Sequence, residues 1–176
     1  MIKRGWCFFA SKYKNGDPLE TNMTWRIKPD GLRAFQKPFD AMKNGLGPIL
    51  CLTEIDGKTP EAPRPKVVIG SRRRIIARMD ATEMLNYFAR MRALSVVHLW
   101  DPSQVMLDYL MTGDKKLRKR AENTRSDMAK RDYAVGGWNT AGCAFKAASY
   151  AASLISDPFS HTFNAEQASF EASCAG

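Results

Sequence analysis

Few residues in this chain suit metal binding or acid–base chemistry. There are two histidines, His98 and His161, and four cysteines, Cys7, Cys51, Cys143 and Cys174. No two cysteines have CxxC spacing and no histidine stands near one, so no metal-ligand pattern forms. The P-loop, GxSxG, HExxH and dinucleotide glycine patterns are missing. No cofactor is implied. Long apolar runs are missing as well. MIKRGWCFFAS, at the start, has no extended apolar core, so no secretory signal is expected and the thiols are expected free in a reducing cytoplasm. Trp138 to Ile155 contains Lys146 and several Ser and Gly, too polar for a membrane span. Trp25, Trp100 and Trp138 are dispersed, which argues against base stacking on an aromatic platform.

What the chain does have is apolar content and positive charge. Apolar residues make up 44% of 176 residues, enough for one ordinary folded domain. The formal net charge of +9 favours anionic partners: nucleic acid, an acidic protein surface or lipid headgroups. Arg64 to Arg78 holds six basic residues and no acid, and Lys115 to Arg131 holds eight basic residues and two acids. After Asp132 the basic count falls to one, Lys146, against Asp157, Glu166 and Glu171.

The first half reads as strands and turns. GWCFFAS (5–11) is a short apolar run, NGDP (15–18) is turn chemistry, and TWRIK (24–28) alternates like a half-buried strand. PFDAMKN (38–44) suits a short helix stopped by Gly45 and Gly47. PILCLTEI (48–55) is the clearest strand, with Ile49, Cys51, Thr53 and Ile55 on one face. TPEAPRP (59–65) is expected to be a surface loop. KVVIGSRRRIIARM (66–79) reads as a hairpin around Gly70-Ser71. At Asp80 the pattern turns helical. DATE (80–83) has capping-box form, and Met84, Leu85, Phe88, Met91 and Leu94 recur at helical spacing as far as His98. A second helix starts at DPS (101–103), with Asp101 as cap, and buries Val105, Met106, Tyr109 and Leu110 before Gly113. A third runs from Asp114 to about Tyr133, a fourth from Thr140 to Ile155, and a last short helix begins near Asp157-Pro158. The expected fold class is α+β: a small antiparallel sheet over 1–79 packed against a helical bundle over 80–176, in one cooperative unit.

GLRAFQKPFDAMKNGLGPILCLTEIDG (31–57) and the stretch 72–125 together resemble an uncharacterised family found in bacteriophages and bacteria. The shared pieces are a Gly-Leu-x-Ala opening (31–34), a Pro-Ile-Leu-Cys strand (48–51) and an Asp-Ala-Thr helix start (80–82). A His-Leu-Trp-Asp corner (98–101) and a Tyr-Leu-x-Thr-Gly-Asp link (109–114) follow. The family's usual tail is a longer Ala/Arg/Asp array; here it is short and interrupted by GGWN (136–139). The resemblance implies phage or mobile-element origin and a β-then-α layout, and implies no mechanism.

Ten basic residues are the candidate site. In an extended Arg72-Arg73-Arg74, the outer two share a face that could clamp phosphates or carboxylates, with Arg78 further along. The competing reading is an edge strand protected by charge. In the third helix, Lys115, Arg118 and Lys119 share a face, joined by Lys116, Arg120 and Arg125. The competing reading there is a solvated helix face, with Glu122 pairing to Arg118 or Lys119. If the two blocks are adjacent, their fields sum into an anion-binding surface. His98 could act as a base oriented by Asp101, or simply cap helix carbonyls. Cys51 reads as buried and inert.

With the phage origin that the resemblance implies, the leading expectation is a small non-enzymatic phage accessory protein in the host cytoplasm, binding through its basic blocks. It would bind a host protein complex or nucleic acid and inhibit a defence or nucleic-acid-processing assembly, without touching a membrane. A virion or assembly component, self-associating through the small-residue helix 140–155, is the alternative from another class. A third reading is an enzyme: the β-rich part loosely resembles ADP-ribosyl-transfer folds, with Glu54 as the one candidate catalytic acid.

Overall fold

The computed structural model describes residues 2–9, 32–45, 47–57, 66–129, 140–153 and 160–175, with backbone alone for 125–129, 140–142, 160–163 and 175. The turn at 15–18, the strand at 24–28, the loop at 59–65 and the GGWN break lie outside the described residues. The fold class is α+β, as the sequence pattern implies. The chain divides into two compact units, residues 1–81 and 82–176, and the division falls where the periodicity changes.

The first unit is a five-stranded antiparallel sheet in the order β4-β2-β1-β3-β5. Its strands are β1 (Lys3–Phe9), β2 (Leu32–Phe35), β3 (Ile49–Asp56), β4 (Val67–Gly70) and β5 (Arg72–Asp80). Strict alternation puts Ile49, Cys51, Thr53 and Ile55 on one buried face, as predicted. Two apolar clusters form there: Cys7, Ala34, Ile55 and Val68 in one, Ile49, Cys51 and Ile75 in the other, with Phe9 against both. The Thr53 hydroxyl, fully buried, donates to the Gly5 carbonyl at 3.1 Å, so its polar atom is satisfied. Helix α1 (Pro38–Met42) buries Ala41 and Met42, and the chain leaving it passes against Phe8 at Gly45.

The expected hairpin at 66–79 does not form. Strand β4 pairs with β2 and β5 pairs with β3, so the two occupy opposite edges of the sheet although Ser71 alone separates them. The sheet must curl for its edges to be joined by so short a link. Gly70 is the reason this works. It is not a positive-φ turn glycine; a Cβ there would stand 2.5 Å from Ile55 Cγ2 and 2.6 Å from the Asp56 carbonyl oxygen. The glycine permits close backbone approach rather than a turn. A bulge at Ile76 bends the edge strand further, since Ile75 and Ala77 face the consecutive residues Thr53 and Leu52.

The second unit is helical: α2 (Thr82–Leu94), a 3-10 turn (Val97–Leu99), α3 (Gln104–Thr112), α4 (Lys115–Ala129), α5 (Thr140–Ala152) and α6 (Ser160–Ala175). Helix α3 is capped by Ser103, not by Asp101: the Ser103 hydroxyl accepts from the Met106 amide at 3.3 Å. It stops at Gly113, whose φ of 71° is the left-handed cap conformation. Asp114 then opens α4, accepting from the Lys116 amide at 2.8 Å. The last helix spans 16 residues rather than a short turn. Its buried residues are Ala165, Ala168, Glu171 and Ala172; α6 packs against α5, whose Ala144, Ala147, Ala148 and Ala151 are also buried, and against α2. Small side chains let these backbones approach. The described small residues of α5 are thus buried within the chain itself. Tyr109 ties α3 to α5 by donating to the Ala151 carbonyl at 2.9 Å, and Trp100 meets Phe145 edge-on at 5.5 Å.

Candidate functional site

The two basic blocks fall in different units, and local packing treats them differently. In β5 the alternation holds: Arg72 and Arg74 face one way and Arg73 the other. The outer pair is neutralised by β3, the neighbouring strand. Register sets Arg72 opposite Asp56 and Arg74 opposite Glu54, with ion pairs of 2.8 Å and 2.5 Å. Arg4, from β1, reaches the same Glu54 at 3.3 Å. The Arg74 hydrogen bond, helped by Arg4, holds the Glu54 carboxyl below the usual carboxylate range. The Gly57 amide and Arg72 do the same to Asp56. These cross-strand ladders cancel much of the charge the block would offer a ligand.

Arg73 is a packing residue. Its guanidinium lies over the Phe9 ring at 4.5 Å and donates to the Arg33 carbonyl at 3.1 Å and toward Cys7 Sγ at 3.6 Å. Arg78 is half-buried opposite Cys51 and lines a shallow depression with Ile49, Met79 and Asp80.

Helix α4 is different. Arg118 turns inward and donates to the Ser153 carbonyl just past the end of α5 at 2.5 Å, a cation placed where helix carbonyls are unsatisfied. Lys115 pairs with Glu83 of α2 at 2.9 Å, but both side chains are largely in water (82% and 73% exposed), so the pair contributes little. Lys116, Lys119 and Arg120 are exposed and, among the described residues, make no ion pair or side-chain hydrogen bond. Their spacing of three, four and one residues puts them on one outer face. Arg125 lies in the same helix, with its side chain outside the described residues.

The alternative chemistries find little support in the geometry. His98 is exposed in the 3-10 turn, and no described hydrogen bond joins it to Asp101. His161's side chain lies outside the described residues. Cys51 is fully buried, and burial pushes its thiol up to about 12. Burial also raises the thiols of Cys7 and Cys143. Glu54 is held between two arginines. Among the described residues no group of three His, Cys, Asp or Glu could hold a metal ion, and no helix is long and apolar enough to cross a membrane.

One feature went unread in the sequence. On α2, Met84 and Tyr87 are exposed, and Met111 is exposed at the end of α3. Arg90 links them: its Nη1 donates to the Leu110 carbonyl at 3.0 Å, and its guanidinium stands 5.7 Å from the Tyr87 ring centre. It also lies flat on Gly113, where a Cβ would come 2.5 Å from Arg90 Cζ. The helical spacing of Met84 had suggested core; exposure depends on which neighbour packs there, a tertiary property.

The fold and these surfaces define an α+β chain with a strong excess of positive charge. No protein-family model, curated protein or solved structure matches it.

Proposed function

We propose that this chain is a non-catalytic binding protein for an anionic macromolecule, engaged through the outer face of α4. The observation that carries this reading is the contrast between the two basic blocks. Arg72 and Arg74 face carboxylates of their own sheet, whereas Lys116, Lys119 and Arg120 are exposed and unpaired among the described residues. A net charge of +9 adds long-range attraction for polyanions. In the phage setting that the family resemblance implies, the protein acts in the host cytoplasm. It occupies an acidic host complex or its nucleic acid and so blocks a defence or nucleic-acid-processing assembly.

Retention on immobilised heparin tests the reading. Wild-type protein elutes late and salt-dependently. The variant Lys116→Glu/Lys119→Glu/Arg120→Glu elutes much earlier, with binding at least about tenfold weaker. Arg72→Ala/Arg74→Ala, which removes paired charges, changes elution little. Equal elution of all three proteins would remove α4 as the binding face.

A further inference from the structure

We propose that the basic face of α4 continues into an apolar docking surface, Met84, Tyr87 and Met111, whose occupant is an amphipathic segment of an acidic protein. The inference rests on the reading of α4 given above and names the class of partner.

Two links place these residues together. Arg90 joins the outer side of α2 to the end of α3, at the Leu110 and Met111 carbonyls. Glu83 joins the first turn of α2 to Lys115 at the start of α4. Met84 and Tyr87 lie between those links, one helical turn apart. Met111 precedes Lys115 by four residues, across the Gly113 corner. The three side chains are 45%, 57% and 64% exposed, a concentration of large apolar groups at one corner of the unit. Methionine adapts to varied apolar shapes, and tyrosine adds a rigid ring with a polar tip. Lys119 lies one turn beyond Lys115 on the same side, and Lys116 adjoins it.

Charge complementarity selects the occupant. A segment with apolar side chains along one stripe and carboxylates beside it fills the thioether corner and meets Lys116 and Lys119 together. A second copy of this chain would bring the exposed Lys116, Lys119 and Arg120 against the same cations. A nucleic acid backbone would meet the lysines but find no use for two methionines.

Methionine-methyl NMR on the full chain tests this, with Met84 and Met111 assigned by their leucine variants. The probe is a synthetic amphipathic helix with leucine on one face and glutamate on the other; polyglutamate and duplex DNA are the comparisons. The expected result is that the amphipathic helix moves the Met84 and Met111 signals and polyglutamate does not. Met84→Ser/Tyr87→Ser/Met111→Ser then weakens the amphipathic helix about tenfold and leaves polyglutamate unchanged. If both acidic probes bind equally, leave those methyls still and are lost on Lys116→Glu/Lys119→Glu, the apolar surface is overturned and the α4 reading survives. If no probe binds, both fall. Movement of the same methyls by DNA replaces the protein partner with nucleic acid. Concentration-dependent shifts without probe, with a dimer in sedimentation, replace it with a second copy.

Discussion

At the scale of single residues, backbone approach and burial decide more than charge does. Gly70 lets the chain cross the end of β3, and Gly70→Ala forces its Cβ into Ile55 and the Asp56 carbonyl. The expected cost is about 1–3 kcal/mol, read as a lower urea midpoint at unchanged slope. Cys51 gives a pH prediction. Its thiol ionises near 9.0 when exposed and near about 12 in the fold. Above pH 9.0 the unfolded chain releases a proton that the native state keeps, so stability falls as pH rises through that window. Cys51 contributes at most about 1.4 kcal/mol per pH unit to this slope. Denaturation at about pH 8 and about pH 10 checks this, and Cys51→Ala should reduce the dependence, with the buried Cys7 and Cys143 thiols leaving a remainder of the same sign. The alternation of Arg72, Arg73 and Arg74 was legible in the sequence, because period two is local. Their partners were not, because Glu54 and Asp56 come opposite only through the β3–β5 register, a non-local property.

At the scale of elements, caps and small side chains set the boundaries. Ser103 caps α3, and Ser103→Ala should cost about 1 kcal/mol of thermal or chemical stability, whereas Asp101→Ala should cost little. In α5, Ala148 is fully buried where the helix packs among small neighbours, so Ala148→Leu should destabilise by about 1–3 kcal/mol through overpacking. Strand β3 and helices α2 to α5 were readable because apolar period and turn glycines agree along the chain, although the cap of α3 is Ser103 rather than Asp101. Helix α6 was underestimated because its described buried positions are three alanines and Glu171, which give no apolar contrast with their exposed neighbours. The hairpin at 66–79 was misread because Gly-Ser is ordinary turn chemistry. What sends β4 and β5 to opposite edges is their pairing with β2 and β3, which lie earlier in the chain.

At the scale of the whole molecule, the change from strands to helices near Asp80 was legible because hydrophobic period changes from two to 3.6 there. The candidate site was half legible. Composition gave the excess of positive charge and the positions of the two blocks. It could not separate paired cations from unpaired ones, nor show an apolar corner beside them. The central claim is that unpaired cations on α4 bind an anionic macromolecule. The most direct measurement is the slope of log binding constant against log salt for a fluorescent polyanion. Wild-type protein should show a steep negative slope that becomes clearly shallower in Lys116→Glu/Lys119→Glu/Arg120→Glu and stays the same in Arg72→Ala/Arg74→Ala. A slope unchanged by the α4 substitutions, or one abolished by the strand substitutions instead, would contradict the account.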